Sequence, residues 1–226
     1  MGSGTHPSWN VVQRLRLRPD TVDDARTLVH ELLRERGRNA CTWEIGSSAT
    51  PTDLTELLYE RGLEDDDDPD VVGRLLTDAP PPAPSGIEAR PVRDFEEFAA
   101  AGRVAAIAFG MPDDELGKLR ERERYDEAAQ LGYWKTFVAL LDGEVVGSAT
   151  STYVDGAVTL NGGAVLPEAR GRGAYRALVS ARWDDAVTRG TPALITQAGR
   201  MSAPILEGLG FREVARIKIL VDRFGS

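Results

Sequence analysis

Residues Val158–Leu178 read VTLNGGAVLPEARGRGAYRAL, and this stretch decides the fold. Val158, Leu160, Ala164 and Val165 give it the apolar content of a strand. Asn161-Gly162-Gly163 interrupts that strand where a bulge or a close backbone approach is expected. Pro167 stops it. Arg170-Gly171-Arg172-Gly173-Ala174 follows as a glycine-rich turn, and from Tyr175 to Val187 apolar residues recur at helical spacing, at Ala177, Leu178, Ala181, Ala186 and Val187. A helix that opens on small residues presents unpaired backbone N–H groups and the positive end of its dipole, a ready site for phosphate or pyrophosphate. Arg170, Arg172 and Arg176 add positive charge to the same turn, in a chain of net charge −9. Glycines between a strand and a helix also serve as plain punctuation, so the stretch alone leaves both readings open. It is not a P-loop, since no Gly-Lys-Ser/Thr follows, and the third glycine of a dinucleotide fingerprint would fall at Arg176.

The neighbouring residues carry a family resemblance. Arg170-Gly171-Arg172-Gly173-Ala174-Tyr175 resembles the R/Q-x-x-G-x-G/A motif of the GNAT superfamily of acyl-CoA N-acyltransferases, and Ala164-Val165-Leu166-Pro167 looks like that superfamily's central strand. Ser202-Ala203-Pro204-Ile205-Leu206-Glu207-Gly208-Leu209-Gly210-Phe211 resembles its second motif, a helix ending in Leu-Gly-Phe. The resemblance covers Gly86 to Phe224 well and the first eighty residues only faintly. Within those, Leu57-Leu58-Tyr59-Glu60-Arg61-Gly62-Leu63 resembles the same helix ending, which suggests a degenerate GNAT-like half; an unrelated α/β appendage is the plain alternative.

A chain of 226 residues with 42% hydrophobic content can bury a core, as one large domain or two small ones. It has no apolar run long enough to cross a bilayer and no apolar leader, so the expectation is a soluble protein without a membrane partner. Met1-Gly-Ser-Gly reads as an added tail outside the fold. Cys41 is the sole cysteine, which excludes an intramolecular disulfide and points to a cytoplasmic setting. His6 and His30 have no metal-ligand spacing, so no metal is expected. The acidic balance argues against nucleic acid.

Along the chain, residues 1–10 read as a flexible N-terminus. VVQRLRL (Val11–Leu17) alternates like a half-buried strand, Val22 to Arg36 has amphipathic helical spacing, Cys41 to Ile45 is a short strand, and a second helix runs from Leu54 to near Gly62. This makes residues 11–77 a small α/β part. EDDDDPD (Glu64–Asp70) reads as a solvated charge run, Val71 to Leu76 as a short helical piece, and residues 78–86 as a stiff Pro-rich linker. The second domain, 87–226, begins with a strand at Ile87–Pro91, then helices over 94–109 and 114–130. Strands over 134–141, 145–154 and 157–165 follow, joined at Asp142-Gly143 and Asp155-Gly156, strong hairpin signals. The helix of the opening stretch, a strand at 193–197, a helix from Ser202 with Pro204 in its first turn, and a strand over 213–221 complete it. The fold class is α/β (α+β), and the order β-α-α-β-β-β-α-β-α-β matches the superfamily: a mixed, mostly antiparallel sheet flanked by helices.

Acyl transfer from a thioester to an amine needs the donor held, the carbonyl polarised and the amine unprotonated. By the resemblance, Ala164, Val165 and Leu166 would pair with the pantetheine arm of acetyl-CoA. Gly171, Arg172, Gly173, Ala174 and Tyr175 would take its pyrophosphate on their N–H groups, with Arg170 and Arg172 assisting. Tyr175 stands where the motif usually has Gly or Ala. Leu206 stands where many members carry a tyrosine acid, and Asn161 near their usual glutamate base, so neither role carries over. Asn161 and Ser202 are the catalytic candidates, with Tyr133, Tyr153 and Glu207 behind them. The resemblance implies an N-acetyltransferase that moves acetyl from acetyl-CoA to a small-molecule or peptide amine by direct attack. The alternative is a non-catalytic acyl-CoA-binding or regulatory module, favoured by Leu206 and Asn161. A transferase using aminoacyl-tRNA is disfavoured by the acidic balance. The acceptor, the acyl chain and the oligomeric state stay open.

Overall fold

The computed structural model describes residues 7–110 and 115–225. In chain order its elements are β1 (Val11–Val12), α1 (Val22–Arg34), β2 (Ala40–Gly46), α2 (Leu54–Glu60), β3 (Glu64–Leu76), β4 (Ile87–Pro91), α3 (Phe95–Ala108), α4 (Glu115–Leu131), β5 (Trp134–Leu141), β6 (Glu144–Val154), β7 (Ala157–Val165), α5 (Ala174–Thr188), β8 (Leu194–Ala198), α6 (Ala203–Gly208) and β9 (Arg212–Arg223). The fold is mixed α/β. Its pairings are mostly antiparallel (β2–β9, β4–β5, β5–β6, β6–β7), with β1–β2 and β7–β8 parallel.

Contacts divide the chain into two compact units. One comprises Met1–Gly73, Gln197–Pro204 and Glu213–Ser226, the other Arg74–Thr196 and Ile205–Arg212. This differs from a cut at the Pro-rich stretch: the last strand goes with the N-terminal residues because β9 pairs with β2 from Ala40↔Arg223 to Gly46↔Ile217. Of the ten residues expected to be flexible, 1–6 lie outside the described residues. Pro7–Trp9 form a short 3₁₀ turn, and Asn10 is tied to β2 by Thr42 N–H to its carbonyl (2.9 Å) and by its amide to the Ala40 carbonyl (3.1 Å). The expected start of α4 at Asp114 also lies outside them.

In the first unit the strand order is β1-β2-β9-β3. Val22, Trp43, Leu54, Leu58, Leu63 and Leu220 bury its core. The strand expected over Val11–Leu17 shortens to Val11–Val12, because Arg14 turns to a φ of 60°. The acid run and the helical piece after it are corrected: Glu64–Leu76 is one continuous strand. Local charge and helical spacing yield to tertiary pairing. Val71 is buried, Lys218 Nζ sits 2.9 Å from Asp65 and 3.4 Å from Asp70, and Asp68 accepts the Arg200 N–H at 2.8 Å. At the end of β9, the buried Asp222 carboxylate takes Arg26 through Nε (2.9 Å) and Nη2 (2.8 Å) and His30 Nε2 (2.8 Å). The His30 ring stacks on Phe224.

In the second unit the order is β8-β7-β6-β5-β4, and helices cover both faces. The period of two along β5 divides its side chains. Phe137 and Ala139 pack with Ala174 and Leu178 of α5, whereas Val138 and Leu140 pack with Ala101 of α3. Charged α4 is anchored by Tyr125, whose ring meets Phe95 and Phe98 at centroid distances of 5.8 and 5.5 Å.

Candidate active site

The site grows from β7. Against β6 its register steps from Ser148↔Ala164 to Thr150↔Asn161, which leaves one extra residue on β7 and puts the bulge at Asn161–Gly163, as the sequence suggests. Against β8 the register consists of Val158↔Leu194 and Thr159↔Ile195, after which Thr196 Oγ1 donates to the Leu160 carbonyl at 2.9 Å. β7 continues to Val165, so its far half runs past its partner.

Backbone alternation decides which residues offer groups along that free edge. Leu166 N–H donates to the Val146 carbonyl (2.9 Å), and the Leu166 carbonyl accepts Ala169 N–H (2.9 Å). In an antiparallel ladder, alternate residues face the partner, so the Leu166 N–H and the groups of Ala164 turn toward β6 and Val165 turns its own away. Of the three residues expected to pair with a pantetheine arm, Val165 carries the outward groups, and its carbonyl accepts Arg170 Nε at 3.4 Å.

After a 3₁₀ turn at Pro167–Ala169 the chain reaches the glycine turn. Gly171 has φ 75° and Gly173 φ 92°, left-handed conformations that glycine adopts without strain. Gly173 is the N-cap of α5 and no side chain caps the helix; Ala177 N–H makes the first helical bond, to the Gly173 carbonyl at 3.0 Å. The N–H groups from Gly173 to Arg176 therefore lack intrahelical acceptors. Arg170, Arg172 and Arg176 are exposed, and among the described residues no carboxylate pairs with them. Tyr175, the departure from the motif, turns its ring against β7: Cε2 lies 2.8 Å from where a Cβ on Gly163 would stand. Burial raises its phenol above the ordinary value.

The catalytic candidates come from separate parts of the chain. Asn161 is exposed and its Nδ2 donates to Thr152 Oγ1 at 3.0 Å. Ser202 belongs to the other unit, in the turn before α6, with its N–H on the Gly199 carbonyl at 3.2 Å. Leu206 is buried in α6, and Glu207 beside it is exposed, 3.6 Å from Arg74. Tyr133 is exposed. Tyr153 donates its hydroxyl to Asp185 Oδ2 at 2.7 Å, under the Arg189 guanidinium, and Asp185 also takes Lys135 Nζ at 2.5 Å. Burial and then the hydrogen bond to Asp185 push the Tyr153 phenol well up. Sequence reading missed this Lys135–Asp185–Tyr153–Arg189 cluster, because three separate elements supply it and no local pattern marks it. Among the described residues no group of three or more His, Cys, Asp or Glu is placed to hold a metal, and no helix is long and apolar enough to cross a membrane.

The element order β1-α1-β2-α2-β3 repeats that of β7-α5-β8-α6-β9. Each begins with a two-pair parallel register, Val11↔Thr42 and Val12↔Trp43 in one, Val158↔Leu194 and Thr159↔Ile195 in the other. Residues 35–39 and 189–193 join helix to strand, and 61–63 and 209–211 join the next helix to the next strand. Leu63 N–H bonds the Leu58 carbonyl (3.1 Å) as Phe211 N–H bonds that of Leu206 (3.0 Å). The openings differ. In the first unit Leu15 and Leu17 bond Thr50 through their backbones, and the turn before α1 carries Asp20, with Asp23 and Asp24 in the helix's first turn.

Residues 104–207 match the model of the Acetyltransferase (GNAT) family. The fold is similar to that of a GCN5-related N-acetyltransferase from Kribbella flavida, with 22% identity, a TM-score of 0.69, and coverage of 95% of this chain and 81% of that one. A GCN5-related N-acetyltransferase from Sphaerobacter thermophilus matches at 21% identity and TM-score 0.66 over 92% of this chain and 73% of its own. A tandem GNAT protein from the clavulanic acid biosynthesis pathway matches at 17% identity and TM-score 0.64, over 90% and 70% respectively. No curated protein matches the chain.

Proposed function

Residues 104–207 match the GNAT acetyltransferase family, and from that premise we propose that the protein is an N-acetyltransferase of the cytoplasm, moving acetyl from acetyl-CoA to an amine. The observation that carries the reading is the uncapped opening of α5, where the N–H groups from Gly173 to Arg176 lack intrahelical acceptors and lie beside three exposed arginines that, among the described residues, no carboxylate pairs with. That opening fits a pyrophosphate, and the outward backbone of Val165 fits the amide arm of the same donor. Acetyl-CoA supplies an activated acyl group on a good leaving group.

The chain's own residues hold and orient. Gly173 to Arg176 and the arginines bind the phosphates; Val165 aligns the arm along β7. The acceptor nitrogen forms the C–N bond as the C–S bond breaks, and its proton passes through water to the departing thiolate. Direct transfer is supported by Cys41, the sole cysteine, which is buried with its thiol pushed up to about 12 and is no nucleophile. The acceptor is a small-molecule or peptide amine. The N-terminal part, β1 to β3, is read as a degenerate copy of the β7–β9 half, supported by its matching element order and registers.

A second reading, a non-catalytic acyl-CoA-binding module, is favoured by buried Leu206 and by Asn161 bonded to Thr152. Thermal unfolding with acetyl-CoA, CoA and ATP tests both. A ligand at a hundred times its Kd stabilises by about 2.7 kcal/mol, and the Gly173→Glu variant should lose the shift. Amine-dependent release of CoA selects the enzyme, binding without release selects the module, and no shift with acetyl-CoA at millimolar concentration sinks both.

A further inference from the structure

The glycine turn is not bare on its outer side. Pro84, at the end of the Pro80-Pro81-Pro82-Ala83-Pro84 run, lies against the Cα of Gly173. A Cβ at that position would stand 3.0 Å from Pro84 Cδ and 3.3 Å from its Cβ, with Cγ nearer still. Pro80 is buried and Gly86 turns the chain at φ 87° into β4, whose Ile87 and Ala89 pack with Ala169 and Ala174 around the same turn. The run is thus fixed at both ends. Proline-rich segments hold an extended shape with little conformational freedom, so this one acts as a stiff strap.

We propose that Pro84 is a positioning residue for the donor turn: the strap holds Gly171–Gly173 in the left-handed conformations that aim the N–H groups of Gly173 to Arg176 at an incoming diphosphate. This rests on the donor reading given above. A turn with two glycines is entropically loose by itself, and ordering it on binding would weaken affinity. The strap supplies that order beforehand. Pro84 has no N–H, and its ring touches the Cα side of Gly173, so it adds no donor that competes for the phosphate. The contact also gives Gly173 a second reason to be glycine, besides its φ.

The test uses the full chain and Pro84→Gly, with Pro81→Gly, an exposed proline of the same run, as the control for general loosening. Backbone 15N order parameters are measured without ligand, and acetyl-CoA affinity by calorimetry. In Pro84→Gly the order parameters of residues 171–176 should fall from about 0.85 to below about 0.6, and Kd should rise about tenfold, while Pro81→Gly changes neither. Unchanged order parameters overturn the strap whatever the affinity. Binding by the wild type that Pro84→Gly leaves unweakened overturns its role toward the donor while the donor reading survives. Failure of the wild type to bind, with order parameters lost in Pro84→Gly, leaves a strap and removes the donor.

Discussion

The ring of Tyr175 occupies the space a side chain at Gly163 would need, with Cε2 2.8 Å from the position of that Cβ. The motif's unusual tyrosine and the strand's bulge glycine are thus two halves of one packing arrangement. Gly163→Ala should destabilise by about 1–3 kcal/mol, the range of overpacking. In a Tyr175→Ala background the same change should cost under about 0.5 kcal/mol, because the obstruction is gone. Urea unfolding of the four proteins reads the coupling, and additive costs would show that the two residues do not meet.

Asp222 should govern acid stability of the first unit. Burial pushes its carboxyl up, but the Arg26 and His30 hydrogen bonds outweigh that and leave it below the ordinary value. A lowered folded value contributes stability that is complete above the unfolded value of about 3.9 and is lost as pH falls through the folded one. Asp222→Asn should cost about 3 kcal/mol at pH 7, since it strands the Arg26 charge. Its urea stability should then vary less with pH below about 4 than the wild type's.

Arg182 is buried in α5 with Nε on the Leu178 carbonyl at 3.0 Å and, among the described residues, no hydrogen-bond partner for Nη1. Burial pulls its guanidinium down to about 10. A buried charge with so little compensation costs stability, so Arg182→Met should gain about 1–3 kcal/mol in urea unfolding. A loss instead would mean that buried water satisfies the guanidinium.

The rate profile should lack a tyrosine limb. Tyr153 is committed to Asp185 and Leu206 has no proton to give, so kcat/KM should climb with pH as the amine deprotonates and then level off. Tyr153→Phe should keep that shape within about twofold in rate while losing about 1–2 kcal/mol of stability, the worth of a hydrogen bond to a charge. A descending limb that vanishes in Tyr153→Phe would make this tyrosine the acid.

What the sequence disclosed was mostly local. Asp142-Gly143 forms its hairpin with both φ values positive (52° and 89°), the geometry such a pair favours. Asn161–Gly163 gives the bulge and Gly171 and Gly173 the turn, because each needs only its own backbone. Long-range pairing was hidden. Glu64–Asp70 looks like solvated loop until Lys218 and the Arg200 N–H are beside it, and nothing near Asp222 announces that its strand runs along β2. Which of Ala164, Val165 and Leu166 faces outward depends on Val146, a residue on another strand.

The acidic opening of α1 sets a count. Asp20, Asp23 and Asp24 stand where its counterpart α5 has glycines and arginines, and the adjoining strand edge is closed by Thr50. Carboxylates at a helix start favour its dipole and take the place of a bound anion, and here Asp23 and Asp20 already hold Arg61 (2.6 and 2.9 Å) and Arg18 (3.2 Å). On the proposed donor reading, a chain with two similar half-folds should therefore saturate at a single equivalent of acetyl-CoA. Titration calorimetry should return a stoichiometry near one, and the half with the acidic opening is free to change its sequence under no constraint from the donor.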